Sequence, residues 1–148
     1  MIVMDLDTLY RPGFKKICQD HGISMAILFG SQATGKAIEG SDLDLAVWLE
    51  KPDLLSGSPE VSRARRHMLR DFINYLGTGN IDLVILNHAS PILKFQVARG
   101  GKPVYQKEAG IFAGFCSRAL REHNDARIFY RATEEYLQKV IKRRGKGG

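Results

Sequence analysis

Apolar positions change period several times along this chain, and the changes divide it into elements. Residues 12–21, PGFKKICQDH, place Phe14, Ile17 and Cys18 on one side of a short helix that Gly22 ends. From Ser24 to Phe29, SMAILF, the run is continuously apolar. It predicts a buried strand leading straight into Gly30, Ser31 and a short helix over residues 32–38, closed by Gly40. Asp42 to Leu49, DLDLAVWL, alternates, with Asp42 and Asp44 on one face of a strand and Leu43, Leu45 and Val47 on the other. A loop of turn formers over residues 51–59 precedes a helix with Val61, Ala64, Met68, Phe72 and Leu76 inside and Arg63, Arg66 and Arg70 outside. Gly77 and Gly79 stop it, and Ile81 to Leu86, IDLVIL, is a third strand carrying one carboxylate, Asp82.

Pro91 opens a short helix through Ala98, Gly100 and Gly101 close it, and an edge strand follows around Val104 and Tyr105. Beyond Ile111 the pattern is helical: Phe112, Cys116 and Leu120 form one stripe, Phe129, Ala132, Tyr136 and Val140 another. An irregularity is expected between them, at His123, Asn124 and Asp125. The fold class is α/β (α+β), a small mixed sheet covered by helices. Its expected divisions are a core over residues 1–110, a C-terminal helical arm over 111–142 packed on the core or on a partner, and a flexible basic tail over 143–148.

Length bounds this picture: 148 residues make one compact domain able to bury roughly two-thirds of its unfolded surface. Charge adds a preference for anionic partners, since 22 Lys and Arg against 16 Asp and Glu give +6 at pH 7, without choosing among phosphates, nucleic acid and acidic protein. Five of the cations fall within residues 139–148, KVIKRRGKGG, unaccompanied by any acid. Cys18 and Cys116 stand in apolar helical contexts and read as reduced, buried thiols. No apolar run approaches the roughly 20 residues that span a bilayer and no basic leader opens the chain, so a cytoplasmic location without membrane contact is expected.

The candidate chemistry lies in the carboxylates that begin two apolar strands. Asp42 and Asp44 share a strand face with Cα atoms about 6.6 Å apart, and Asp82 joins them if the third strand lies beside the second. Three carboxylates pressed together repel unless a cation lies between them. Hard oxygen ligands without nearby Cys or His favour Mg²⁺, or Mn²⁺, over zinc. Two such ions suit in-line phosphoryl chemistry, one activating an acceptor oxygen and the other neutralising the leaving pyrophosphate. Gly30 and Ser31, where a strand becomes a helix, offer backbone N–H groups and a hydroxyl to a phosphate. Taken singly, the pieces have ordinary readings: glycine and serine as a helix start, two aspartates as a solvated turn.

In combination, GSQATGKAIEGSDLDLAVWL resembles the signature of the DNA polymerase beta-like nucleotidyltransferase superfamily: glycine and serine, ten residues, then two aspartates separated by one. Within it the chain looks like the minimal MNT class, the antitoxins paired with HEPN toxins. Gly30, Ser31, Ala33 and Gly35 match the opening turn, Ser41 to Leu45 the metal strand, Asp82 the third carboxylate, and ILKFQVARGGKPVY over residues 92–105 the segment that follows. The resemblance implies a nucleotidyltransferase fold and Mg²⁺-dependent transfer of AMP from ATP to a tyrosine hydroxyl of a partner HEPN toxin. Asp42, Asp44 and Asp82 are then catalytic and metal-binding, and Gly30 and Ser31 hold the triphosphate. Thr34 departs from the arginine common at this turn, for which Lys36 is a candidate substitute.

Two other functions remain open on the sequence. One is transfer to a small molecule or an RNA end, which the basic tail supports but its lack of interleaved aromatics does not. The other is an antitoxin or oligomer subunit that binds without catalysis. Among residues that imitate sites, Asp5 and Asp7 lack a preceding glycine-serine turn and read as helix-start acids. Arg118 and His123 copy the arginine and histidine spacing of HEPN ribonucleases, but Ala119 replaces the usual polar neighbour. His88 reads as a surface-loop histidine, Arg63, Arg66 and Arg70 as a solvated face, and Trp48 either borders a base pocket or packs beneath a helix.

Overall fold

A computed structural model describes residues 6–30, 33, 42–51 and 58–146. Its elements follow in the order α1 (Pro12–Asp20), β1 (Ile23–Phe29), β2 (Leu43–Leu49), α2 (Pro59–Leu76), β3 (Ile81–Ile85), α3 (Pro91–Gly100), β4 (Lys102–Gln106) and α4 (Ile111–Lys146), with 3₁₀ turns at Leu6–Tyr10 and Leu86–His88. The strands form one sheet in the order β3-β2-β1-β4. β1 runs antiparallel to β2 and β4, and β2 runs parallel to β3.

Strand alternation sends two sets of side chains to the two faces. Leu43, Leu45, Val47 and Leu83 join Ala26 and Leu28 against α1 and α2, where Phe14, Cys18, Met68 and Phe72 are buried. The Phe14 and Phe72 rings lie 5.3 Å apart and seal this face. Burying each of them contributes about 1.5–3 kcal/mol. Met25, Ile27, Ala46 and Leu86 occupy the other face beneath Val97, Phe115 and Ala119 of α3 and α4, with Trp48 and Val84 packed alongside.

Local chemistry fixes the helix ends. Ser58 and Ser90 cap α2 and α3 by accepting hydrogen bonds from the backbone N–H groups of Val61 and Leu93, each with a proline in the first turn. Gln106 Oε1 accepts from the Phe112 N–H at 3.0 Å, satisfying a donor in the first turn of α4.

The structure departs from the sequence expectations in α4. This helix passes through His123, Asn124 and Asp125 without a break and continues to Lys146, so residues 143–146 are helical, where a flexible tail was expected. Phe95 stacks on His123 at 3.9 Å and Lys94 pairs with Glu122 at 3.4 Å, which ties α4 to α3 at the expected irregularity. The inward stripe is also rotated: Phe115 and Ala119 are buried, while Leu120 is 50% exposed. Phe129 and Tyr136 of the second stripe are exposed as well. No described helix is long and apolar enough to cross a membrane.

Candidate active site

Three strand ends meet at one pole of the sheet. β1 finishes there with Phe29 opposite Asp44, and parallel pairing sets Asp44 directly beside Asp82. Both carboxylates fall on the face covered lower down by α3 and α4, because their neighbours Leu43, Leu45 and Leu83 occupy the opposite one. Asp42 precedes β2 and is exposed, as is Asp82, whereas Asp44 is half-buried. Burial raises the Asp44 pKa above the ordinary carboxylate value, and the charges of Asp82 and Asp42 raise it further. The expectation that the third strand lies beside the second therefore holds, and the three acids act on one electrostatic centre.

Gly30 closes the centre from the β1 side. Its φ is +74°, a left-handed conformation that side chains disfavour, and a Cβ there would overlap the Asp44 carboxylate. Its carbonyl accepts from the Ala33 N–H at 3.2 Å, the hydrogen bond of a tight turn, and Ala33 is buried. Ser31, Thr34, Gly35 and Lys36 lie outside the described residues.

These residues suit divalent cations by the chemistry of their donors: hard carboxylate oxygens, one of them made more basic by burial and then by two like charges. As placed, the three sense one another without closing up. Among the described residues no three His, Cys, Asp or Glu side chains converge tightly enough to hold an ion jointly.

Residues that imitated sites are employed elsewhere. His88 follows the end of β3 remote from Asp82. Trp48 packs on Phe115 with ring centroids 6.2 Å apart, so it is core beneath α4. His123 lies flat on Phe95. Arg63, Arg66 and Arg70 are exposed, as a solvated face should be.

Two supports of the site escaped the sequence reading. Arg65 donates from Nε and Nη2 to the Leu83 carbonyl at 3.2 and 2.9 Å, tying α2 to the free edge of β3 one residue from Asp82. Arg65 sits among other arginines, and only the edge position of β3 distinguishes it. Gly101 lets the turn from α3 to β4 press onto β1, since a Cβ there would come within 2.5 Å of Ile27 Cγ2. The following Lys102 pairs with Leu28, which brings a cation to the same pole as Gly30.

Comparison with known proteins agrees with this geometry. The family described as "Polymerase beta, Nucleotidyltransferase" matches residues 14–109, a span that contains all four strands, Gly30 and the three aspartates. The chain belongs to the polymerase beta nucleotidyltransferase family. A member from Aphanizomenon flos-aquae, the protein adenylyltransferase MntA, is 30% identical over 126 residues that make up 83% of each chain. A crystal structure of a toxin-antitoxin with AMP-PNP superposes with a TM-score of 0.67 at 23% identity, over 85% of this chain and 96% of that one. A complex of the tri-AMPylated Shewanella oneidensis HEPN toxin with its MNT antitoxin gives a TM-score of 0.59 at 22% identity, over 83% and 91%. Both structures share the nucleotidyltransferase fold with this chain, a mixed four-stranded sheet with helices.

Proposed function

We propose that this nucleotidyltransferase is an Mg²⁺-dependent protein adenylyltransferase that moves AMP from ATP to a tyrosine hydroxyl of a HEPN toxin. The observation that carries the reading is the register that sets Asp44 beside Asp82, with Gly30 pressed against the Asp44 carboxylate. The MntA relative, a named protein adenylyltransferase, supplies the donor and the kind of acceptor.

Asp42, Asp44 and Asp82 would hold the ions, with Asp42 and Asp44 on the nucleotide side. Mg²⁺ bound there supplies charge neutralisation for the triphosphate and for the departing pyrophosphate. Gly30, having no Cβ, would let phosphate oxygens approach the backbone N–H groups that follow β1, and Ser31 would add its hydroxyl. Asp82, exposed at the sheet edge, faces the acceptor and receives its proton. The acceptor oxygen then forms a bond to the α-phosphorus as the bond from that phosphorus to the pyrophosphate oxygen breaks.

The test is incubation of the folded protein with Mg²⁺, labelled ATP and its cognate HEPN toxin. Label on a toxin tyrosine, lost in Asp42→Ala/Asp44→Ala, is the expected result. A toxin that stays unlabelled yet is neutralised equally by that double variant would replace this reading with binding alone. Label on an RNA 3′ end instead would move the acceptor to nucleic acid.

A further inference from the structure

The family relationship accounts for the sheet and its acidic pole, but its match ends at residue 109, before α4 begins. The first third of α4 lies on the core through Phe115 and Ala119, and its last described ties are Lys94–Glu122 and Phe95–His123. Beyond them every described side chain is exposed apart from the half-buried Ala126 and Val140. Residues 124–146 thus form a helical rod about 35 Å long at the usual rise per residue.

A rod destined for water should be polar all round. Here Phe129, Tyr130, Tyr136, Leu137 and Ile141 are 52–66% exposed and recur at helical spacing with Val140, which gathers them on one side. Buried against a facing helix, such a strip would cover several hundred Å², approaching the roughly 800 Å² per partner of a stable interface.

We propose that this strip docks an acidic, apolar-faced helical surface of the protein that carries the acceptor hydroxyl. That the partner is the acceptor protein rests on the functional reading above. Charge decides between occupants. Residues 139–146 hold Lys139, Lys142, Arg143, Arg144 and Lys146 with no carboxylate, and by 100° steps Lys139 and Arg143 edge the strip while Arg144 closes its end. A second copy laid parallel would set two such tips side by side. Laid antiparallel with the strips overlaid, the tip would meet residues 124–131, where Asp125 is outnumbered by Arg127 and Arg131. Neither direction neutralises the tip, whereas carboxylates flanking an apolar groove do. RNA would satisfy the cations and Phe129, Tyr130 and Tyr136 offer it rings, but Leu137, Val140 and Ile141, the part of the strip nearest the tip, are aliphatic and match an apolar protein surface instead.

Two full-length variants test this, Tyr136→Glu/Leu137→Glu in the strip and Lys139→Gln/Arg143→Gln/Arg144→Gln at the tip. Affinity for the cognate HEPN toxin is measured without ATP across a salt series, with melting temperature and Mg·ATP binding as folding controls. The strip variant should weaken toxin binding roughly tenfold or more, as loss of central interface anchors does. The tip variant should weaken it and also flatten its salt dependence, an effect that merely loosened packing does not produce. Both should keep Mg·ATP binding and melting near the parent values.

Affinities within about threefold of the parent in both variants would overturn the docking strip, as would a parent that does not bind the toxin. Self-association or RNA binding that vanishes in the variants, with toxin affinity untouched, overturns it in favour of those occupants. A parent that binds the toxin through the strip but never labels it would sink the functional reading and leave the docking surface standing.

Discussion

Replacing Gly30 by alanine separates what this glycine does for the fold from what it does for the site. The backbone cost is that of forcing an L-residue into the left-handed region at φ +74°, about 1–2 kcal/mol. For a chain of this length that lowers the melting temperature by roughly 2–8 °C. The steric cost falls differently, because the atom that the new Cβ would overlap is Oδ2 of Asp44, the end of a side chain that can rotate away. Rotation limits the loss of stability and moves the carboxylate off its position beside Asp82. The damage therefore appears in chemistry more than in folding.

Gly77 supplies the control. It ends α2 at φ +72°, nearly the same backbone conformation, yet a Cβ there would meet nothing within 4 Å. Gly77→Ala should thus lose the same 1–2 kcal/mol and keep transfer, while Gly30→Ala loses that stability and at least about a hundredfold in single-turnover AMP transfer. Thermal melting and transfer at saturating toxin, measured on both variants, give the comparison. Transfer by Gly30→Ala within about threefold of the parent would refute the reasoning, since a displaced Asp44 would then be harmless. So would an equal loss in Gly77→Ala, which would trace the defect to stability alone.

Other outcomes follow from the same geometry. Asp82→Asn keeps the side-chain volume but removes a negative ligand and a proton acceptor, so Mg·ATP binding should persist while transfer falls roughly 10²-fold or more; transfer within threefold of the parent would remove Asp82 from the acceptor side. Arg65→Ala deletes both hydrogen bonds to the Leu83 carbonyl and should cost about 1 kcal/mol while slowing transfer more than it weakens nucleotide binding, with partial rescue by Arg65→Lys; parallel losses of binding and transfer would show general unfolding of the edge. Burial pushes the Cys18 thiol from 9.0 up to about 12. With the folded value above the unfolded one, this stabilisation is complete below pH 9 and is lost as pH rises toward 12, amounting to about 4 kcal/mol by that point. Denaturant midpoints at pH 8 and pH 11 should lie closer together in Cys18→Ala than in the parent.

The parts of this fold visible in the sequence were those whose cause is local. Leu43, Leu45 and Val47 alternate with Asp44 because a strand has a period of two, and both sides of that pattern appear in the sheet as expected. Pro91 announced the start of α3 for an equally local reason, whereas Pro59, assigned to the preceding loop, proved to open α2 behind the Ser58 cap. What escaped depends on partners distant in the chain. Phe115 and Ala119 face inward in place of Leu120 because α3 and Trp48 determine which side of α4 is covered, and no spacing within α4 encodes that. Arg65 could not be distinguished from Arg63 and Arg66 until β3 proved to be an edge strand with an open Leu83 carbonyl. At the site, the pairing of Asp44 with Asp82 was legible only as a condition, since parallel adjacency of β2 and β3 is a property of topology.

That topology also explains why the acids occupy one end of one face. Both faces of the sheet are apolar, but they are covered unequally. α1 and α2 bury Leu43 at the start of β2, so this face is closed up to the pole. On the other face the cover of α3 and α4 reaches Ala46 and Val84, one alternation short of Asp44 and Asp82. A leucine at either position would present apolar surface to water, and a carboxylate deeper in the same strands would be buried without a partner, at a cost of several kcal/mol. The last uncovered alternation is therefore where the fold tolerates acids cheaply while still shielding Asp44 enough to raise its pKa. Extending the cover should remove that tolerance. Val84→Phe, whose larger ring would advance the apolar surface toward Asp82, is expected to raise the Mg²⁺ concentration needed for half-maximal transfer while leaving Mg²⁺-free melting unchanged or higher. An unchanged Mg²⁺ requirement in that variant would show that the edge of the apolar cover does not govern the acidic pole.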